Sequence, residues 1–262
     1  MFTRIPGVPL VRRLPANTHG RDMIVADVHG CYTLLQRLLD KALFDPLTDR
    51  LFIAGDLVDR GPESIKALEW IAKPWVHVIA GNHDHMLVVA AENGGDDDHK
   101  DNGGEWFIPV MRDNPDLATE FLQVFTGLPI AIEVDCWDGR RFGIVHAECP
   151  HLDWNDFTHA LEHENNPKDL DRVVQAATWM RSRISLNDLT PVACIDTIFV
   201  GHTPVRGSQQ LGNTLYIDTR ASSDKGYLTL MQMDNRQEWT LSRPELRAMR
   251  LLEQDSVSSL SL

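Results

Sequence analysis

One stretch in the first quarter of the chain, Leu51–Gly61 (LFIAGDLVDRG), constrains the fold and the chemistry most strongly. Its apolar first four residues predict a buried strand, and the glycine that follows ends it. Asp56 stands at the carboxyl end of that strand, and Asp59 and Arg60 lie in the loop before the next helix. Ligands of open α/β sheets bind at the carboxyl ends of strands. Charged side chains placed there are costly unless ligand charges match them, so the stretch predicts a site for charged ligands.

The first 90 residues alternate between strand and helix patterns. The strands are predicted at Asp22–Ala26, 51–54 and Val76–Ala80, with helices at Cys31–Ala42 and Glu63–Ala72 between them and another helix starting near Asn82. Each strand ends in polar residues beside a glycine. A β-α-β-α-β series of this kind predicts a parallel sheet whose carboxyl ends gather polar side chains at one edge.

The second half of the chain is richer in strands. A hairpin is predicted from Ile130–Trp137 and Arg141–His146, joined at a strong Asp-Gly turn signal. Residues 115–127 and much of 153–188 have helical patterns. Four further strands are predicted at Thr197–Val200, Thr214–Ile217, Tyr227–Met233 and Glu238–Leu241. We therefore expect one α/β domain over residues 1–262 with its core at 22–241, an irregular lead at 1–21, and a flexible tail at 242–262 that holds one short helix.

A Gly/Asp-rich insert at residues 93–104 (NGGDDDHKDNGG) interrupts the helical pattern. Its aspartates and histidine suggest a cation site, but their spacing lacks the acidic closing residue of a calcium loop. No apolar periodicity accompanies them. The insert is therefore predicted to be a solvated, mobile acidic loop, in which His99 has a surface or structural role.

Composition excludes several functions. A formal net charge of −13 argues against a general nucleic-acid binder. No run of about 20 apolar residues is present, so no membrane span is expected. The four cysteines show no paired spacing, which favours a reduced, cytoplasmic protein. We expect a monomer or weak oligomer.

Carboxylate, imidazole and amide side chains follow the predicted strands, and these are ligands for Mn, Fe or Zn. Together they exceed what one ion takes from a protein while keeping an open position. Two divalent ions that share Asp56, about 3.5–4 Å apart, fit the set better. The predicted metal ligands are Asp27, His29, Asp56, Asn82, His146 and His202.

Two divalent ions, with Arg60 and a second arginine, outweigh the negative charge of Asp27, Asp56 and a bridging hydroxide. An acidic chain thereby gains a locally cationic site. Such a site suits a phosphomonoester dianion.

The motifs resemble the three signatures of the PPP-family metallophosphatases, and the match is closest to the bacterial and phage-type serine/threonine phosphatases. The matching segments are Asp27-Val-His29-Gly30, Gly55-Asp56-Leu-Val-Asp59-Arg60-Gly61 and Gly81-Asn82-His83-Asp84, with His146-Ala147 and Gly201-His202-Thr-Pro supplying the later histidines. The resemblance spans about residues 22–232. It implies a β-sandwich of two mixed sheets flanked by helices, with a dinuclear metal site at strand carboxyl ends.

The resemblance also implies the division of the ligands between the two ions. Asp27, His29 and Asp56 would hold the first ion. The second ion would be held by Asp56, Asn82, His146 and His202.

Catalytic roles follow from the same resemblance. His83 would be the general acid, oriented by Asp84, and Arg60 would bind phosphoryl oxygens with Asp59 orienting it. Arg181 is the favoured second phosphate-binding arginine, with Arg183 as its competitor.

The chain departs from the family pattern at Ala26, Glu148 and Arg220. Arg220 stands where a glycine is expected near the site. Because glycine there usually permits a special backbone angle or a close approach, substrate scope is where Arg220 would matter.

The predicted function is hydrolysis of phosphoserine or phosphothreonine, and of phosphotyrosine as a further option, on proteins. A metal-bridging hydroxide would attack phosphorus directly. The alternative enzyme is a symmetrical diadenosine tetraphosphate hydrolase, which shares the first three motifs.

Two other interpretations are weaker. The spacing of Cys31 and Arg37 is that of a cysteine-dependent phosphatase loop, but the residues between them include no glycine and have a helical pattern. A catalytically inactive binding module is disfavoured because every ligand position is filled.

Overall fold

The computed structural model describes residues 7–259, with side chains through residue 251. Its eleven strands form two mixed sheets. The strands are β1 Val11–Leu14, β2 Asp22–Val25, β3 Arg50–Ile53, β4 Val76–Val78, β5 Ala131–Asp135, β6 Arg141–Val145, β7 Thr197–Val200, β8 Gln209–Leu211, β9 Thr214–Tyr216, β10 Leu228–Gln232 and β11 Glu238–Leu241.

Helices flank the sheets. They are α1 Tyr32–Lys41, α2 Ala67–Ile71, α3 Asn82–Asn93, α4 Asp97–His99, α5 Phe107–Asp113, α6 Pro115–Thr126, α7 Trp154–His163, α8 Pro167–Trp179, α9 Ser182–Leu186 and α10 Arg243–Ser259. A 3₁₀ turn (Ser64–Lys66) precedes α2, and a π-helical turn (Lys100–Gly104) follows α4. The predicted α/β sandwich of two mixed sheets flanked by helices is confirmed. None of the helices within residues 7–259 has the length and apolar character that a membrane crossing requires.

The two sheets both contain a parallel trio that carries the site. The five-stranded sheet has the order β11-β10-β2-β3-β4, in which β2, β3 and β4 are parallel. The six-stranded sheet has the order β1-β5-β6-β7-β9-β8, in which β6, β7 and β9 are parallel. Carboxyl ends of parallel neighbours lie at the same edge, so each trio presents its strand-end residues together.

The neighbouring strands β2 and β3 are apolar after their first residues because both of their faces are covered. Ile24 and Phe52, which are paired across β2 and β3, pack with residues of the other sheet such as Ile144 in one fully buried cluster. Met23 and Val25 alternate with Ile24 and belong to the other buried cluster, which includes the apolar face of α1. The alternation thus places one layer of core between the sheets and another beneath the helices.

Several element boundaries differ from the sequence prediction. The lead is not wholly irregular, because Val11–Leu14 pairs in parallel with β5 at the edge of its sheet. Its sequence, VRRL, offers only two apolar residues, too few for a pattern. Strand β8 and helix α5 were also not predicted. Helix α10 is longer than the short tail helix expected, and residues 1–6 and 260–262 of the predicted lead and tail lie outside the described residues.

The insert at 93–104 also differs from its prediction. It contains helical turns rather than an unstructured loop, and His99 is only 2% exposed. The Asp96 carboxylate accepts a hydrogen bond of 2.9 Å from the backbone N–H of His99 and so caps α4. The insert is therefore folded against the rest of the domain, and its contacts lie at the site described next.

Candidate active site

The predicted ligands come together where the two parallel trios end, and all six are buried. His29, Asp56 and His83 form one group of possible ligand atoms that lie within 4.8 Å of one another. Asp56, His146 and His202 form a second such group. Asp56 belongs to both groups, as expected of a carboxylate shared between two ions.

The backbone turns sharply at the site residues. Asp27, His29, Asp56, Asp59 and Arg60 all have φ between 43° and 72°, the left-handed region that non-glycine residues seldom occupy. A residue held in this way costs on the order of 1–3 kcal/mol. The concentration of such residues at one edge of the sheets is typical of a functional site.

One nitrogen of each ligand histidine faces away from the cluster and contacts a backbone carbonyl, which fixes it as the protonated nitrogen. When the ring is neutral, the other nitrogen turns its lone pair towards the cluster, as a metal ligand requires. The contacts are His29 Nδ1 to Val58 O at 2.8 Å, His146 Nδ1 to Ala54 O at 2.7 Å, and His202 Nε2 to Trp179 O at 3.0 Å.

The inward-facing atoms crowd one another. Asn82 Oδ1 lies 3.0 Å from His146 Nε2 and 2.8 Å from His202 Nδ1. His146 Nε2 lies 3.4 Å from one Asp56 oxygen, and His29 Nε2 lies 3.5 Å from the other. Because most of these atoms are acceptors, a cation between them would relieve their repulsion. The donor set therefore fits divalent metal ions.

Burial and neighbouring charges together determine the pKa of each of these histidines. It lowers the pKa of His29 to about 4 and, together with His146, that of His202 to about 3. Both rings are therefore neutral near pH 7, as metal ligands must be. Burial also opposes protonation of His146, but Asp56 outweighs it and raises the pKa of His146 to about 10. A bound cation beside Asp56 would take the place of that proton.

Asp218 is a buried carboxyl at the site that the sequence analysis missed. Burial, Asp218 and Asp56 together raise the pKa of Asp27 well above its usual range. Such a concentration of buried carboxyls calls for positive charge. The signal that would have found Asp218 is the one used for the ligands, because it follows closely after the parallel strand β9.

Asp84, in the first turn of α3, caps that helix and does not orient His83. Its carboxylate accepts hydrogen bonds from the backbone N–H groups of Gly81, at 2.8 Å, and Leu57, at 2.9 Å. The helix start packs so closely that a Cβ on Gly81 would overlap a carboxylate oxygen of Asp56. The expectation that Asp84 orients His83 was therefore wrong, because both carboxylate oxygens of Asp84 accept hydrogen bonds from backbone N–H groups.

Asp59 takes the orienting role. His83 Nδ1 donates to Asp59 Oδ2 at 2.8 Å, and the other oxygen accepts from His99 and Trp106. With these donors around it, Asp59 does not hold Arg60 as predicted. The exposed Arg60 guanidinium instead lies 2.8 Å from His29 Nε2.

The structure separates the two candidate arginines for the second phosphate contact. Arg181 is exposed, and its Nη2 lies 3.4 Å from the backbone oxygen of His202. Arg183 is buried, and its guanidinium donates to the backbone carbonyls of Thr190, at 2.6 Å, and Asp188, at 3.2 Å. Arg183 therefore stabilises the loop that follows it, whereas Arg181 borders the cluster of predicted metal ligands.

Cys31 lacks the surroundings of a nucleophile. Burial raises the pKa of its thiol to about 11, and its sulfur contacts the backbone oxygen of Ala221 at 3.7 Å. Helix α1 begins at the next residue. A thiolate mechanism would need a lowered pKa and backbone amides around phosphate, so the structure agrees with rejecting it.

Comparison with known proteins agrees with this geometry. The calcineurin-like phosphoesterase family matches residues 21–217. The chain is 31% identical to serine/threonine-protein phosphatase 1 of Salmonella typhimurium, over 86% of this chain and 97% of that protein. It is 38% identical to a symmetrical bis(5'-nucleosyl)-tetraphosphatase of Dechloromonas aromatica, over only 47% of this chain and 42% of that protein.

The fold is similar to that of a solved serine/threonine phosphatase from Saccharomyces cerevisiae. The TM-score is 0.57 at 15% identity, with 89% of this chain and 84% of that chain covered. The matched family residues run from the start of β2 to the end of β9 and so include the strands that carry every predicted ligand. This chain belongs to the calcineurin-like phosphoesterase family of metal-dependent hydrolases.

Proposed function

We propose that the protein hydrolyses phosphate monoesters on serine and threonine side chains of proteins. The observation that carries the proposal is the pair of ligand groups that share Asp56, bordered by the exposed Arg60 beside His29 and the exposed Arg181 beside His202. An arrangement of buried metal ligands with cationic side chains at either end suits a phosphoryl group. A phosphoprotein is accordingly the partner that we propose.

Asp27, His29 and Asp56 would hold one divalent ion, and Asp56, Asn82, His146 and His202 the other. Manganese fits the mixture of carboxylate, imidazole and amide ligands, and iron or zinc would fit it as well. When bound, the two ions supply an activated water and neutralise charge on the phosphoryl oxygens.

The chain's own residues provide binding and proton transfer. Arg60 and Arg181 would donate paired hydrogen bonds to phosphoryl oxygens and orient the phosphorus for in-line attack. The Nδ1–H of His83 donates a hydrogen bond to Asp59, so Nε2 is the atom that would hand a proton to the departing oxygen. Serine and threonine alkoxides are poor leaving groups, and for these substrates such proton transfer is needed.

Cleavage of a symmetrical dinucleoside tetraphosphate is the second candidate. Higher local identity favours it, 38% against 31%, but that match covers less than half of either protein. Coverage of 97% of the protein phosphatase makes protein dephosphorylation the better supported activity.

The unpaired state of the cysteines at their described positions supports a reducing compartment such as the cytoplasm.

A substrate panel tests the proposal. The manganese-loaded protein would be assayed with phosphoserine, phosphothreonine and phosphotyrosine peptides and with diadenosine tetraphosphate. We expect the highest kcat/KM on the phosphoserine or phosphothreonine peptide. Preference for the dinucleotide over every peptide would contradict the proposal and favour the second candidate.

A further inference from the structure

The carboxylate of Asp59 is held from both sides. It is fully buried, and its Oδ2 accepts the hydrogen bond from His83 Nδ1 at 2.8 Å. Its Oδ1 accepts from His99 Nε2 at 2.9 Å and from Trp106 Nε1 at 2.8 Å. A second histidine thus contacts the carboxylate that orients the general acid.

Close contacts within the insert at 93–104 hold His99 in this position. Asp96 caps the single turn that carries His99, and Gly104 packs so closely that a Cβ there would overlap the His99 ring. The carbonyl of Gly103 also accepts a hydrogen bond from the backbone N–H of Arg60 at 3.3 Å. The insert therefore supports both Asp59 and Arg60, the two loop residues next to the site.

The two hydrogen bonds to Oδ1 restrict the rotation of the buried Asp59 carboxylate. If Oδ1 kept only the Trp106 N–H, Asp59 would turn more freely and lengthen its bond to His83. Two N–H groups on Oδ1 fix the carboxylate plane and keep Oδ2 directed at His83 Nδ1. This keeps His83 Nε2 aimed at the leaving oxygen, where small misplacements are costly.

We propose that His99 is a positioning residue that acts through Asp59 to hold His83 as the general acid. This inference rests on the proposed phosphomonoesterase function. Because the role concerns proton donation, its loss affects substrates according to their leaving groups. A purely structural role of the insert would affect all substrates alike.

The test compares His99→Leu with His99→Gln, which have similar volumes but differ in the ability to donate a hydrogen bond. Asp98→Ala, at an exposed position of the same insert, is the matched control. Each manganese-loaded protein would be assayed for kcat and KM on a phosphoserine peptide and on 4-nitrophenyl phosphate, with metal content measured in parallel.

For His99→Leu we expect kcat on the peptide to fall about tenfold, the loss for one hydrogen bond to a charged group. Turnover of nitrophenyl phosphate and metal content should change little, because nitrophenolate leaves without a proton. His99→Gln should recover most of the peptide activity, and Asp98→Ala should equal the parent protein.

Equal losses on both substrates, no loss on either, or equal behaviour of the Leu and Gln variants would overturn the proposal. If the His99 variants do not fold, Gly104→Ala displaces the ring while keeping the histidine. It should then produce the same peptide-selective loss, and a substrate-independent effect would overturn the proposal. A parent protein that hydrolyses nitrophenyl phosphate but no phosphopeptide would instead refute the proposed function.

Discussion

The cluster of six predicted metal ligands and the insert at 93–104 both make buried polar contacts at the site. Their positions are determined by the sequence in different ways. Each cluster ligand follows closely after a strand of a parallel trio, so register and strand direction bring it to the edge. His99 reaches the same edge from a segment without periodicity, through a contact with a residue 40 positions away. The ligands are thus placed by secondary structure, whereas the insert is placed by a few individual contacts.

This difference decides how each region should respond to mutation. A ligand shared by both groups would serve two metal ions, so its loss should reduce turnover most. The arginines and His83 act on parts of the substrate and should produce graded losses. Residues placed by individual contacts adjust the site and should have the smallest effects.

Asp56→Asn should have the largest effect. Asp56 alone belongs to both ligand groups in the described part of the chain, so its conversion to an amide weakens both ions. We expect the metal content to fall from about two ions per chain and turnover of every substrate to fall roughly 10³-fold or more. Elemental analysis and kinetics measure the two effects.

Asp116→Asn, at an exposed position in α6, is the control for the charge change. Full activity of Asp56→Asn, or of chelator-stripped protein, would contradict the dinuclear interpretation.

His83→Asn should be next in magnitude and should separate the substrates. Loss of a general acid lowers the rate by roughly 10²–10⁴-fold when the leaving group needs a proton. We expect that loss on phosphoserine peptide and a much smaller one on 4-nitrophenyl phosphate. Losses of equal size would mean that His83 helps to hold a metal ion, since it lies close to the predicted ligands His29 and Asp56.

The sequence predicted that six candidate ligands would meet at one edge because each has a local signal, a polar residue soon after an apolar strand, and four of the six adjoin a glycine. It assigned the wrong partner to His83 because Asp84 is its neighbour in sequence, whereas Asp59 lies in another loop. Proximity in the sequence could not reveal that the Asp84 carboxylate accepts hydrogen bonds from the backbone N–H groups of Gly81, at the start of α3, and of Leu57, in the loop after β3.

The insert shows the same limit more strongly. Its aspartates and glycines have the composition of a solvated loop, and burial of His99 depends on the distant Asp59 and on close packing against Gly104. Edge strand β1 escaped prediction for a related reason, because its short polar sequence becomes a strand only beside β5. Elements that depend on long-range contacts have no local pattern of apolar and polar residues by which a single sequence predicts them.

Arg60→Ala and Arg181→Ala should have intermediate effects that do not separate the substrates. Each would remove a charged contact to the phosphoryl group, which all substrates share, so kcat/KM should fall about 10–100-fold on peptide and aryl phosphate alike. Arg183→Ala is the contrasting variant. It leaves the carbonyls of Asp188 and Thr190 without their donor, so thermal melts should show a lower Tm.

A strong leaving-group dependence in Arg60→Ala would contradict its assignment to the phosphoryl group. A large loss of activity in Arg183→Ala without a change in Tm would reverse the preference for Arg181.

Arg220→Gly should have the smallest effect. Arg220 has a φ of 65°, which glycine adopts without strain, and its backbone N–H donates to the Asp218 carboxylate at 2.8 Å. Relief of this strain contributes roughly 1 kcal/mol, which the flexibility of glycine in the unfolded chain partly offsets. Loss of the exposed side chain beside the site should alter the ratio of peptide to aryl phosphate turnover severalfold, without altering metal content.

Arg236→Gly is the control for backbone strain, since Arg236 is also exposed and has a φ of 61°; its side chain also donates a hydrogen bond of 2.6 Å to Gln210. It lies in the turn after β10, which runs antiparallel to β2, so this turn is at the edge of the sheet opposite the site. Arg236→Gly should have the lower Tm of the two because it also loses its side-chain hydrogen bond to Gln210, but only Arg220→Gly should change the substrate ratio. An unchanged ratio would show that Arg220 has no part in substrate selection, and an equal change in both variants would show that backbone strain, rather than the Arg220 side chain, is responsible.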